Sequence, residues 1–582
     1  WHKRTDVPHP AGPFGGVTSF EGKLFTYWEN TTNDQDSVYY WDGAWHFLPG
    51  AVGNDVRCIG VRPDGQRLLV GLSYQVSLFD QSLNEAFAAG HVGSTPFYVA
   101  DALTTDNGEV WAATDANGLA RCYPGGGEFY LPNGPRTTAA YHMDAHDGWL
   151  MVATGNVAGN WTNSFLHQGV HIYHDNSWRT VAEADDPLMV GVNSFAGGTV
   201  DPMAVVMDPS DPGHGYVGTW DEGVLEWRNG AVQTIWNASN STLGINGNPN
   251  DGIIDVAGLD IDDNGDLWVS NANTNALLSV KRKNGTWKSF APGGVAGTNT
   301  LVSDVLAAKN GLKWLVRPRS NGLLVFTDGG TLDDAGDDQW KAITTVENQG
   351  KLPSLAVYAV AEDQDEQIWV GTDKGIAVFY NPESIFANDG TNWDCQQILI
   401  EQDGNVQILL ETEVVSAIVV DGANRKWIGT QTSGVYLVSA DGTQQIEHFT
   451  AENSPLPSNN VSCITIEGKT GEVFFGTDQG IISYRGTATE PSDEATCANV
   501  FPNPVKETYT GPVAINGLLA GSDVRITDIA GNLVYKTTSL GGQAIWPVTD
   551  LSGQRVATGV YLILATDQSG DYSCNSKVLV VH

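Results

Sequence analysis

A short unit recurs along this chain and restricts its fold more than any other feature. Copies are Gly108-Glu-Val-Trp-Ala-Ala-Thr114 with Gly118-Leu119, Gly215-Tyr-Val-Gly-Thr219 with Gly223-Val224, and Gly265-Asp-Leu-Trp-Val-Ser270. Sharper copies follow at Ile368-Trp-Val-Gly-Thr372 with Gly375-Ile376, Lys426-Trp-Ile-Gly-Thr430 with Gly434-Val435, and Val473-Phe-Phe-Gly-Thr477 with Gly480-Ile481. Each reads as an apolar strand, a polar turn, the aromatic strand, then Gly and a third apolar strand. The copies stand roughly 45 to 60 residues apart, the length of one four-stranded propeller blade. Trp or Phe beside Val supplies a wedge between blades, Gly-Thr lets strands crowd toward an axis, and the later Gly turns the chain back.

About ten such units fit between residues 14 and 488, and one ring rarely exceeds eight blades. The expected division is therefore a partial first propeller of about three blades over 1–138 and a second propeller of seven blades over 139–488. A permuted arrangement, with the early residues closing the later ring, is the alternative. The 582 residues exceed what one core serves. Apolar/polar alternation recurs throughout while helical spacing is rare, so the fold class is all-β.

Lys and Arg number 30 against 68 Asp and Glu, a formal charge of −38. That surface repels nucleic acid and anionic membrane at long range, so nucleic acid is excluded as a partner. No apolar run is long enough to span a membrane. The chain starts at Trp1 with no visible signal peptide and reads as mature or truncated, with an export signal assumed. None of the six cysteines forms a C-x-x-C pair, which removes zinc-ribbon and thioredoxin readings.

The last stretch is different. Phe501-Pro-Asn-Pro-Val505, Val524-Arg-Ile-Thr-Asp-Ile-Ala-Gly-Asn-Leu-Val-Tyr535, Gly542-Gln-Ala-Ile-Trp546, Gly559-Val-Tyr-Leu-Ile-Leu564 and Lys577-Val-Leu-Val-Val581 follow in order. Short alternating runs between Pro or Gly-Asn turns predict a C-terminal immunoglobulin-like β-sandwich over 499–582. Cys497 precedes its first strand and Cys574 its last, and a disulfide between them is expected.

These five segments resemble the C-terminal sorting domain of the type IX secretion system of Bacteroidetes. Upstream, Asp421-Gly-Ala-Asn-Arg-Lys-Trp-Ile-Gly-Thr430, Phe449-Thr-Ala-Glu-Asn-Ser-Pro-Leu456 and Gly476-Thr-Asp-Gln-Gly-Ile-Ile-Ser-Tyr-Arg-Gly486 run straight into the Pro-Asn-Pro motif. That succession resembles the PorZ-type surface components of the same system, well over roughly 300–582 and only in architecture before. The resemblance implies two propellers, a retained sorting-type domain, and a place on the outer face of the outer membrane. It also implies a non-enzymatic role: binding anionic lipopolysaccharide or glycan and presenting it to a PorU-like cell-surface sortase, alongside other attachment-complex proteins. The alternative is a secreted propeller cargo, glycan-active or glycan-binding, whose tail is a cleavable address; a sensor-type propeller is a third reading.

Catalytic signatures are missing: no Gly-x-Ser-x-Gly, no H-E-x-x-H, no P-loop, no dinucleotide fingerprint. No cofactor is required, and calcium is a candidate ion. Asp333, Asp334, Asp337 and Asp338 stand around a Gly turn, as hard oxygen donors would; the bland reading is a solvated turn. Asp260-Ile-Asp-Asp-Asn-Gly-Asp266 opens like an EF-hand loop but has Asn271 where the closing Glu belongs, so it reads as a hairpin turn. Residues four apart share a strand face, so His142 and His146 are candidates to face His167 and His171, near His174, as a zinc or general-base group. Trp161, Trp178, Trp340 and Trp393 fall outside the repeat position and are candidates for exposed sugar contacts. The densest basic segments are Arg317-Pro-Arg319 with nearby Lys313, Lys281-Arg-Lys283 and Arg425-Lys426.

Overall fold

The computed structural model describes residues 8–581 apart from 10–11, 33–34, 53–54, 116, 191–197, 249, 297–299, 388, 403–404, 493–498, 568–569 and 571–572. The chain is all-β; among the described residues its helices are 3-10 turns at Pro187–Val190, Gly293–Val295 and Pro382–Ile385. It forms two compact units, Trp1–Gly134 and Pro135–His582. The first unit holds three four-stranded antiparallel sheets, over 14–52, 56–89 and 99–130. Apolar clusters around Phe25, Val70 and Phe79, and around Leu78, Phe97 and Val110, fill the spaces between them.

The second unit contains a ring of seven blades, here called blades 1 to 7: 142–181, 202–236, 254–290, 305–343, 357–397, 415–449 and 461–485, with blades 2 and 3 sharing one eight-stranded sheet. Blade 7 has three strands and the others four, each strand pairing with the next in sequence. The pairing of Trp220 with Asp255 joins the end of the second strand of blade 2 to the first strand of blade 3. The first strands of successive blades lie side by side, and Val461–Glu467 of blade 7 packs on His142–His146 of blade 1. The Cys463 thiol donates to the Ala140 carbonyl at 3.5 Å across that seam, so the ring is closed.

A Cβ built on Gly218 would stand 2.7 Å from a Val256 methyl, on Gly371 2.7 Å from Val415, and on Gly429 2.8 Å from Val461. Each of these glycines therefore sets the approach of the next blade's first strand. The following threonine closes the turn: Thr372 donates to the Gly375 carbonyl at 2.9 Å and Thr430 to that of Gly434 at 2.9 Å. Gly375 and Gly434 have φ of 75°, a conformation open mainly to glycine. Trp268, Trp369 and Trp427 are buried wedges between a blade and its successor.

The tail is a two-sheet sandwich. A three-stranded sheet of Asn499–Phe501, Val513–Asn516 and Gln543–Trp546 faces a four-stranded one of Leu533–Thr538, Asp523–Thr527, Gly559–Thr566 and Ser573–Val580. Val513, Ile515, Val524, Ile526, Trp546, Ile563 and Val578 fill the space between. Cys574 is disulfide-bonded, whereas Cys58, Cys122, Cys395 and Cys463 are free. Its expected partner, Cys497, lies outside the described residues.

Backbone contacts hold the sandwich to the ring. The Gly542 N–H donates to the Thr489 carbonyl at 2.9 Å, and Glu490 N–H to that of Gly468 at 2.8 Å. A Cβ on Gly422 of blade 6 would meet the Thr489 carbonyl oxygen at 1.9 Å, and one on Gly541 of the sandwich would meet it at 2.0 Å.

Candidate functional site

Antiparallel order gives the ring two unlike ends. Turns from first to second strand, such as 262–266, 363–367 and 421–425, collect at one end, and the sandwich docks there through Gly422 and Gly468. The second-to-third-strand loops and the connections between blades collect at the other. That end carries the long connections that leave Ala153, Val181, Trp236 and Phe290.

The seven first strands enclose a cavity of about 600 Å³ along the axis. Its walls mix polar and apolar surface, with Met203, Val205, Leu259, Leu306 and Ile418 among the apolar residues. Set into this lining are three carboxylates, Asp144, Asp260 and Asp304. Two of them clip neighbouring blades together. Asp144 accepts from its own strand at Ala145 N–H and from Met207 N–H of blade 2 at 2.7 Å; Asp260 accepts from Ile261 N–H and from Ala307 N–H of blade 4 at 2.7 Å. First strands of adjacent blades make no regular ladder, so these carboxylates replace one. Burial raises all three acids, Asp260 to about 7 and Asp304 to about 6. Sequence reasoning missed Asp144 and Asp304 and read Asp260 only as the start of a hairpin turn; Asp144 stands between His142 and His146, and Asp304 just before its strand, so no strand pattern marks them.

Near the loop-rich end the cavity is lined by Trp161, Arg319, Ser320, Tyr358, Gln431 and Asn460. Arg319 and Ser320 are consecutive residues with φ of 61° and 58°, in the turn between the second and third strands of blade 4. Asn321 holds that turn, its amide donating to the Pro318 carbonyl at 2.7 Å and to that of Arg319 at 3.1 Å. Cys463 also lines the cavity, but burial pushes its thiol up to about 12, so it is no activated nucleophile.

The histidine group does not assemble as expected. His142 is in register with Ala153 and Val170, whereas His171 is in register with Val152 and Met143. The intervening strand Trp149–Ala153 separates them, and the one-residue offset turns them to opposite faces. His142 lines the axial cavity, His171 is bonded to Thr137 and Thr180, His167 to Glu183, His146 to the Pro209 carbonyl, and His174 stacks on Trp149 at 3.7 Å. Burial lowers both His142 and His171 to about 4.

The acidic turn of blade 4 is spread over separate partners. Asp333 pairs with Arg282, Asp334 accepts from Gly336 N–H at 2.9 Å, and Asp337 from the Thr331 hydroxyl at 2.7 Å. Asp337 and Asp338 each keep one enclosed oxygen without a partner, and burial raises Asp338. Among the described residues no three His, Cys, Asp or Glu stand as a metal-holding group. The segment at Asp260–Asp266 is a hairpin turn, with Gly265 N–H donating to the Asp262 carbonyl at 2.8 Å.

Of the tryptophans expected at the surface, each is half-buried against a neighbour: Trp161 on Trp220, Trp178 on Tyr173, Trp340 on Phe326, and Trp393 under the Lys341 ammonium. Of the basic segments, most are consumed internally. Lys313 is buried at the opposite end of its strand from Arg317, over Trp268. Lys281 donates to the Tyr216 hydroxyl, Arg282 pairs with Asp333, Arg425 with Asp421, and Lys426 with Asp363.

Residues 499–581 match the family model of the secretion system C-terminal sorting domain, and residues 351–374 that of the two component regulator propeller. No curated protein matches the chain by sequence. Among solved structures, the extracellular domain of a hybrid two component system from B. thetaiotaomicron is 13% identical, with a TM-score of 0.39 over 97% of this chain and 78% of its own. The fold is similar to that of PorZ, described as an essential bacterial surface component of the type-IX secretion system of Porphyromonas gingivalis, at a TM-score of 0.70 and 24% identity over 99% of this chain and 76% of that one.

Proposed function

We propose that this chain is an exported, non-enzymatic component of the type IX secretion machinery at the outer face of the outer membrane. In this reading it binds anionic lipopolysaccharide and presents it to a PorU-like sortase. The observation that carries the proposal is the joining of a sorting-type domain at 499–581 to a ring whose fold follows PorZ along nearly the whole chain. The docking supports it further. A tail seated on the ring through Gly422, Gly468, Gly541 and Gly542 is built as part of the body rather than as a label to be discarded, which weighs against a cleaved cargo. It also leaves the loop-rich end of the ring free of the sandwich.

A surface of charge −38 does not draw a polyanion by long-range attraction. Recognition must then be local, and its salt dependence shallow compared with that of a polycationic binder. The test is binding of the full chain to immobilised anionic lipopolysaccharide at low and high salt, with capture of a PorU-like sortase in a parallel arm. Absence of binding at both salts, together with a surface form lacking the tail by intact mass, would favour the cargo reading.

A further inference from the structure

Two arginines of the ring stand apart from the rest. Among the described residues, every other arginine donates to a carboxylate or to a carbonyl oxygen. Arg317 and Arg319 have neither, in a chain where acids outnumber bases by more than two to one. Both sit in one loop, between the strands Lys313–Val316 and Leu323–Thr327 of blade 4. Arg317 is half-buried, its Nε enclosed and without a partner. Burial alone lowers it, with no carboxylate acting against the shift. Arg319 is exposed and lines the loop-rich end of the axial cavity.

An unpaired guanidinium partly removed from water is costly and gives the folded chain nothing in return. Arg317 is such a group, and Arg319, exposed two residues on, adds a second cation without a carboxylate or carbonyl partner to the same loop. The loop is also set in advance: Arg317 N–H donates to the Gly322 carbonyl at 3.0 Å, Asn321 ties the carbonyls of Pro318 and Arg319, and Arg319 and Ser320 are held left-handed. Left-handed arginine and serine side by side are a strained arrangement of the sort kept at ligand sites.

We propose that Arg317 and Arg319 form an oxyanion site at the loop-rich mouth of the ring, taking the phosphate or carboxylate of an anionic sugar. The sugar rests on the polysaccharide reading above; the oxyanion does not. A guanidinium fork matches either group with paired N–H bonds. Trp161, Tyr358, Gln431 and Asn460 line the cavity that Arg319 borders and offer ring faces and amides to hydroxyls. Such a site explains how so acidic a chain can select an anion without a basic surface.

Melting of the full chain in inorganic phosphate, or in galacturonate, against chloride at equal ionic strength tests the site and separates the two anions. The expected result is a saturable rise in Tm with at least one of them, weakened at least about tenfold in apparent affinity by Arg317→Gln and by Arg319→Gln. Arg317→Met, in chloride, should melt no lower than the parent, because it removes a desolvated charge that has no partner. No saturable rise with either anion overturns the site, as does an equal rise in parent and variants. If Arg317 variants fail to fold, Arg319→Gln carries the test alone, its side chain being exposed. Polysaccharide binding that survives both variants refutes this site and leaves the polysaccharide reading standing; phosphate binding without polysaccharide binding does the reverse.

Discussion

The ammonium of Lys426 in blade 6 lies 2.9 Å from Oδ2 of Asp363 in blade 5, and both side chains are buried. The same nitrogen stands 4.4 Å above the ring of Trp369, whose Nε1 donates to that same Oδ2 at 2.9 Å. Asp363 also accepts from Asp365 N–H and Gln367 N–H, so one carboxylate orders a turn, orients the wedge tryptophan and neutralises a cation from the next blade. Lys313 over Trp268, with Asp262 accepting from the Trp268 Nε1, repeats part of the arrangement two blades earlier.

Removing one member of the Lys426–Asp363 pair should be worse than removing both. Asp363→Ala leaves a buried ammonium uncompensated and is expected to cost about 3–5 kcal/mol, with Lys426→Met milder. In the double variant Asp363→Ala/Lys426→Met a large part of that loss should return. Chemical denaturation of the four proteins checks this, and strictly additive losses would contradict it.

Acidification from pH 8 should stabilise the protein before it destabilises it. Asp255 and Asp260 are raised by burial to about 7 and Asp304 to about 6. A raised carboxyl contributes stability that is complete below its unfolded value and is lost as pH rises through the folded one. His214, raised because both ring nitrogens face carboxylates, Glu226 first and Asp208 also, carries the same sign. Going from pH 8 to 6.5 therefore restores about 1 kcal/mol for each carboxylate titrating near 7. Below 6.5, His142 and His171, held at about 4, work the other way: their stability is present above the ordinary imidazole value and falls away toward pH 4. Melting temperatures at constant ionic strength should pass through a maximum on the acid side of neutrality; a higher Tm at pH 8 than at 6.5 would rule this out.

The glycines between ring and sandwich should behave as docking residues. Gly422→Ala places a methyl where the Thr489 carbonyl oxygen stands, and no flexible side chain is there to yield. The expected outcome is a sandwich that loosens from an intact ring, seen as faster proteolysis between residues 486 and 499 and a second melting transition. Unchanged digestion kinetics would mean the contact is not what holds the tail.

Calcium at the blade 4 turn requires a rearrangement. Asp337 and Asp338 offer one free enclosed oxygen each, and a cation would have to draw Asp333 from Arg282 or Asp334 from the Gly336 N–H. If it does, calcium raises Tm and a chelator lowers it, and Asp337→Asn with Asp338→Asn abolishes the difference. Identical curves in calcium and chelator reduce the four residues to a turn.

What the residues alone determined was everything that depends on local period and on turn chemistry. The Trp-Val-Gly-Thr copies named the blades because a wedge, a close approach and a left-handed turn each admit few residue types, and Trp369, Gly371, Thr372 and Gly375 occupy those roles in three dimensions. The strand pattern of the tail was legible for the same reason. Tertiary structure decided which polar groups meet. His142 and His171 share a blade yet face opposite ways, since pairing offset by one residue reverses a side chain. Lys313, Arg425 and Lys426 look like surface charge in a string of letters and are consumed inside the ring. Arg317 and Arg319 look no different from them, and only the closed ring leaves those two without partners. Asp144, Asp260 and Asp304 come from three separate repeats, and their approach to one axis is a property of closure, which no single repeat encodes.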